Sequence, residues 1–160
     1  MSGSKGFRTP DATDKSERGA TNLNLKTVQR MLPLVQRIVD DILAHQQAIG
    51  RLQPEEEVLD QRKRVLAWPQ RQRRYQVKEE MARADLGLHD ALAELHELGV
   101  ILLDNARGRV GFPTIVNDRR AYFSWYPGED GLHSWQFADE DVTRPIPVAW
   151  LKEISLAAAP

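Results

Sequence analysis

The spacing of apolar residues changes period once along this chain, near Gly99. Leu25, Val28, Leu32, Val35, Val39, Ile42, Gln46 and Ile49 recur at alternating steps of three and four, the pattern of a helix that buries one stripe. Met31, Ile38 and Leu43 widen that stripe, so this helix is expected to face more than one neighbour. Asn24 is suited to cap its start and Gly50 to end it, and Pro33 predicts a kink within it. Gln53-Pro54 then opens a further helix, with Glu55, Glu56 and Glu57 in a first turn whose dipole favours negative charge. Val58, Leu59, Val65 and Leu66 supply its apolar face, and Trp68-Pro69 breaks or kinks it, because a residue before proline avoids helical geometry. From Arg71 to Leu98 the three-four spacing returns in Val77, Met81, Ala84, Leu88, Ala91, Leu95 and Leu98. Two seams of equal period, separated by a turn, predict a long antiparallel helical hairpin.

Past Gly99 the period falls to two and turn residues become frequent. Val100 to Leu103 is a short apolar run that predicts a buried strand. Asp104-Asn105-Ala106-Arg107-Gly108 is turn chemistry, with Gly108 free to take positive φ. Arg109 to Val116 predicts a second strand, placed at an edge or bulged near Phe112-Pro113 because proline cannot donate to a ladder. Asn117-Asp118 predicts a tight hairpin turn. Ala121 to Tyr126 is a third strand, Pro127-Gly128 a type II turn and Leu132 to Phe137 a fourth strand. The fold class is therefore α+β: a helical hairpin kinked at Pro33 and at Trp68-Pro69, then a small four-stranded antiparallel β-meander.

Alternation sorts the faces of that meander. Ala121, Phe123 and Trp125 share one side of the third strand, and Tyr122, Ser124 and Tyr126 the other. In the fourth, Leu132, Ser134 and Gln136 oppose His133, Trp135 and Phe137. Both faces carry aromatic residues, so one covers a core and the other is expected against helix, partner or ligand.

The run Gly99-Val100, Asp104, Gly108, Val110, Phe112-Pro113, Arg119, Trp125, Gly128-Glu129 and Trp135 resembles the signature of domain-of-unknown-function family 2203. The segment Leu23 to Val35, ending in Met31-Leu32-Pro33-Leu34-Val35, is similar to that family's first helix. The resemblance implies a helical hairpin followed by a small antiparallel sheet, and it implies no activity. Many relatives place Cys before the tryptophan of the third strand and His after that of the fourth. Here those positions are Ser124 and Gln136, so a metal site built on that pair does not carry over.

Composition sets the remaining bounds. The 160 residues are enough for one compact domain with a tail. Apolar residues make up 41% and charged residues 28%, a globular balance. A formal net charge of −1 gives no overall attraction to nucleic acid or anionic lipid. The absence of cysteine excludes disulfides, thiol catalysis and cysteine-type zinc sites, and fits a cytoplasmic setting. No stretch approaches the roughly 20 apolar residues of a membrane span. Residues 1–22 are polar and small and are expected to form a disordered tail. Residues 23–157 then form one domain: hairpin at 23–98, meander at 99–138, C-terminal extension at 139–157. In that extension Pro145 and Pro147 predict an extended path, and Val148 to Ile154 a short helix docked by Trp150.

Three functional readings follow. The first is a non-catalytic interaction module that forms a homodimer through seams on Val28, Leu32, Val35, Val39, Ile42, Met81, Leu88 and Leu95. The second is a small-molecule site, or a minor enzyme, on the aromatic sheet face. It would be built from Arg119, Arg120, Tyr122, Trp125, Glu129, His133 and Trp135, with Glu129 as acid or base and either arginine as anion contact. The third, ranked last, is nucleic-acid contact through Arg62, Lys63, Arg64, Arg71, Arg73 and Arg74. Flanking glutamates favour a salt-bridged helix face there instead. His89 and His96 stand about 10 Å apart along a helix, too far to share one metal. No catalytic motif, cofactor or metal site is predicted, and the balance leans away from an enzyme.

Overall fold

The computed structural model describes residues 23–151. The expected tail at 1–22 and the end of the C-terminal extension, Ile154 included, lie outside the described residues. The element order is α1 (Leu25–Gln61), α2 (Trp68–Glu97), β1 (Ile101–Asp104), β2 (Arg109–Val116), β3 (Arg119–Trp125), β4 (Ser134–Phe137) and β5 (Arg144–Pro145). Two antiparallel helices pack along each other and are followed by one antiparallel sheet in the order β1-β2-β3-β4-β5. The α+β class and the meander are as expected, with β5 as an added strand.

The helix boundaries correct the sequence reading. α1 runs unbroken through both Gly50 and Pro54, so Gly50 is no stop and Gln53-Pro54 opens nothing. The distal half of α1 is held by the turn and by α2: Leu59 of α1, Leu66 of the turn and Val77 of α2 form a small core, with Leu52 and Met81 packed on it. That tertiary support outweighs the cost of Gly50 and Pro54 in the distal half of this 37-residue helix. The hairpin turn lies at 62–67, and Trp68-Pro69 begins α2 rather than breaking a helix. Proline is well tolerated there because the first-turn N–H groups have no helical partner anyway. At the other end of the chain Asn24 caps α1 as expected, its Oδ1 accepting from Thr27 N at 2.8 Å. Gly99, at φ 79°, releases the chain from α2 into β1.

Turn chemistry fixes the sheet. Asn117 and Asp118 both hold positive φ (51° and 61°) in the β2–β3 hairpin. Asp104 Oδ1 accepts from Ala106 N at 2.9 Å and closes the β1–β2 loop that ends at Gly108. Glu129 N donates to Tyr126 O at 3.1 Å, closing the Pro127-Gly128 turn. Pro113 sits where β1 no longer flanks β2: the β1 pairing covers only Arg109 to Gly111, and a register shift lies between Leu102 and Asp104. Leu23 N donates to Pro113 O at 2.8 Å on that otherwise open side. Proline's missing donor therefore costs no ladder bond.

One sheet face and the base of the hairpin share the main core. Leu25, Val28, Val35, Ile38, Val39 and Ile42 of α1 and Ala91 and Leu95 of α2 meet Val110, Phe112, Val116, Ala121, Phe123, Trp125, Trp135 and Phe137. The homodimer seam is thus occupied within the protomer. Val28, Val35, Val39, Ile42 and Leu95 are buried, and Leu32 and Leu88 pack against the same core. Met81 packs on the distal cluster. The sheet supplies the third layer that the helical spacing alone left unassigned, so a dimer has to use other surfaces. The main core reaches only as far as Leu43 and Leu88. Beyond it α1 and α2 continue as a two-helix rod of about 27 Å.

Candidate functional site

The predicted aromatic constellation does not assemble. Strand register places Phe123 opposite both Phe112 and Trp135, and Ala121 opposite both Thr114 and Phe137. Trp125 and Trp135 therefore point into the core, each 1% exposed. Trp135 meets Phe137 edge-on at 4.8 Å between ring centroids and Trp150 at 5.7 Å; Trp150 also packs edge-on against Phe123. Residues 148–151 are helical and Trp150 is buried, as the C-terminal extension was expected to provide. These rings need area and one polar partner each, and Trp125 Nε1 finds its partner in Glu129 O at 3.3 Å.

Glu129 closes a turn. Its Oε1 accepts from Tyr126 N at 3.1 Å, which ties the carboxylate to the backbone before β4. His133 is exposed and pairs with Asp130 at 2.7 Å. That hydrogen bond, followed by the imidazole's charge, lowers the Asp130 pKa below its ordinary value.

The two arginines of β3 lie on opposite faces. Arg119 shares the core side, and its guanidinium stacks 3.8 Å over the Phe137 ring. It reaches Asp139 at 3.0 Å and Glu140 at 3.4 Å. Arg144 approaches Phe137 at 5.1 Å and pairs with Glu140 at 3.0 Å, so Glu140 bridges two cations set against one aromatic ring. Arg120 lies on the outer face and is exposed. Arg119, Arg120, Ala138 and Asp139 line a shallow concavity of about 370 Å³. Of the seven residues first proposed, only these two arginines share it.

The outer sheet face is a polar network. Arg109 stands over Tyr126 at 5.7 Å and donates to Gln136 Oε1. Gln136 Nε2 donates to Glu140 O at 3.0 Å. Tyr122 stands opposite Gln136, and Ser124 opposite Ser134. Ser124 and Gln136 are therefore diagonal neighbours on this face. Leu103 and Tyr122 close over Gly111, where a Cβ would come within 2.9 Å of Leu103 Cδ1. Sequence reasoning missed Arg109, Gln136, Asp139 and Glu140. For Arg109 and Gln136 alternation assigns a face but not a partner, and Asp139 and Glu140 lie beyond β4, where it assigns neither.

The helix arginines divide. Arg73 pairs with Glu55 at 2.7 Å, and Arg74 and Lys78 hold Asp60 at 2.8 and 3.2 Å. The Arg73 hydrogen bond lowers the Glu55 pKa, and the Arg74 hydrogen bond lowers that of Asp60. Arg71 Nε instead donates to Leu66 O at 2.9 Å and fastens the turn. Among the described residues no three His, Asp or Glu side chains converge as a metal-holding group. No described helix is long and apolar enough to cross a membrane.

Fold and surface together define an α+β protein in which a helical hairpin is seated on an aromatic-cored antiparallel meander. The chain belongs to the DUF2203 family, described as an uncharacterized conserved protein, whose profile matches residues 23–143. That description assigns no activity. Comparison with curated proteins and with solved structures gives no match.

Proposed function

We propose that this protein is a non-catalytic interaction module whose projecting rod pairs with a second copy of the chain. The observation that carries the reading is a row of exposed apolar residues, interrupted by Glu79 and His89, on the outer side of α2. Tyr75, Ala82, Leu86 and Ala93 recur at steps of seven and four, and all four are exposed. Those steps return to the same side of a helix, opposite the buried Val77, Ala84 and Ala91. A two-helix rod with one small core has little to bury by itself, and a second rod laid along this stripe supplies the missing layer. Light scattering on the eluting peak, from micromolar to hundreds of micromolar protein, tests it. The expected mass is twice 18.2 kDa, returning to one chain in Leu86→Glu. A single-chain mass throughout that range refutes the reading.

A second reading is supported by the concavity at Arg119 and Arg120. Two guanidinium groups beside a hollow of this size suit a small anion, with Arg120 as the available cation because Arg119 is held by Asp139 and Glu140. A thermal-shift screen with small anionic metabolites would raise the melting temperature, and Arg120→Ala would abolish the rise. No shift with any anion removes this reading.

A further inference from the structure

The free end of the rod carries a charge that the rest of the chain does not. From Val58 to Tyr75 there are six arginines and lysines against one acid, Asp60, in a chain whose formal net charge is −1. Arg73 and Arg74 are held by Glu55 and Asp60. Arg62, Lys63, Arg64 and Arg71 make no ion pair with any described residue. In their midst Val65 is 81% and Trp68 66% exposed, whereas Trp125, Trp135 and Trp150 are each 1% exposed. One exposed valine is ordinary. An exposed valine and tryptophan three residues apart, at the end of a rod and flanked by four cations whose charge no described acid neutralises, form an apolar apex inside a basic collar.

The occupant follows from that chemistry. A second copy docking tip to tip would bring four like charges against four. A single-stranded nucleic acid takes a basic groove with aromatic stacking platforms, and the aliphatic Val65 at the apex offers no face to stack on. A bilayer with anionic headgroups matches both parts: apolar side chains enter the interface while arginine and lysine meet lipid phosphates. We propose that the hairpin tip docks end-on against an anionic lipid surface, with Val65 and Trp68 entering it and Arg62, Lys63, Arg64 and Arg71 contacting the phosphates.

The full chain carries its own reporter, because Trp68 is the exposed tryptophan. It is titrated with phosphatidylglycerol vesicles and with pure phosphatidylcholine vesicles at low salt. Fluorescence and co-sedimentation are read in parallel. Expected are a blue shift and co-sedimentation with the anionic vesicles only, both weakened by added salt. Reversing three charges (R62E, K63E, R64E) lowers partitioning by about 100-fold or more, from the contribution of each basic residue near such a surface. Trp68→Phe removes the blue shift and keeps salt-sensitive co-sedimentation. These side chains are exposed, so both variants keep the fold, checked by near-ultraviolet circular dichroism. The proposal is overturned if anionic vesicles fail to sediment the protein. It is also overturned if the blue shift survives Trp68→Phe, or if a single-stranded oligonucleotide binds the tip more tightly at the same ionic strength. None of these readouts depends on whether the rods pair.

Discussion

Gly108 is the joint between sheet and hairpin, and replacing it separates two physical costs. It ends the β1–β2 loop with φ at 73°. A Cβ there would lie 2.8 Å from Val39 Cγ1, 3.1 Å from Leu43 Cδ1 and 3.2 Å from Pro127 Cγ. Val39 is wholly buried, so it cannot swing aside without disturbing the main core. Gly128 is the control: its φ is 100°, yet a Cβ there meets nothing within 4 Å. Left-handed backbone costs alanine about 1–2 kcal/mol, and crowding a packed core adds about 1–3 kcal/mol. Gly128→Ala should therefore lose only the strain, and Gly108→Ala both, roughly 2–5 kcal/mol. Against a total stability of about 5–15 kcal/mol that is a large share. At roughly 3 °C per kcal/mol for a chain of this size, Gly108→Ala should melt about 6–15 °C lower. Urea titration with unchanged slope, beside thermal melting, reads both variants. If Gly108→Ala costs no more than Gly128→Ala, the close approach of the loop to α1 is not a stability determinant and the packing argument fails.

Three other predictions rest on separate observations. Trp135→Ala should cost about 3–5 kcal/mol by emptying the ring cluster with Phe137 and Trp150, whereas the exposed Trp68→Ala should change stability by less than about 0.5 kcal/mol; equal melting temperatures would contradict this. Thr114 Oγ1 is buried without a hydrogen-bond partner, so Thr114→Val should stabilise by about 1 kcal/mol in urea titration, and a loss would point to an unseen partner. Acid should loosen the distal rod: Glu55 and Asp60 have depressed pKa values in the fold, so their contribution is complete above the ordinary values of 4.5 and 3.8 and is lost as pH falls below them. The difference in melting temperature between wild type and Asp60→Asn should accordingly shrink as pH drops from 7 to 3, and a constant difference would count against these ion pairs.

The functional site was the least legible part, for a reason visible in β3. Alternation correctly put Ala121, Phe123 and Trp125 on one side and Tyr122 and Ser124 on the other. It could not say which side the helices cover. Once Trp125 and Trp135 are inside, the constellation falls apart: Glu129 serves its own turn, His133 faces Asp130, and Arg119 stacks on Phe137. Arg120 alone of that set is left exposed without an ion pair among the described residues. The basic run at 62–74 gave a clearer signal, but its division into paired and unpaired cations depended on which acids the neighbouring helix turns brought within 4 Å.

What the sequence determined by itself is what depends on one residue and its near neighbours. Asn24 as cap, Gly99 as helix exit, Asn117-Asp118 and Gly128 as turns, and the change from helical to strand period are local preferences of backbone and side chain, and they hold in the fold. Tertiary structure decided whatever required comparing distant contacts. It carried α1 through Gly50 and Pro54, because Leu52 and Leu59 gain more against Leu66, Val77 and Met81 than two poor helix formers cost. It also added β5 at the edge, where Pro145 removes no needed donor, and it turned the helix seam toward the sheet. Helix stops and free faces are differences between large competing terms, and a local pattern contains only one side of each difference.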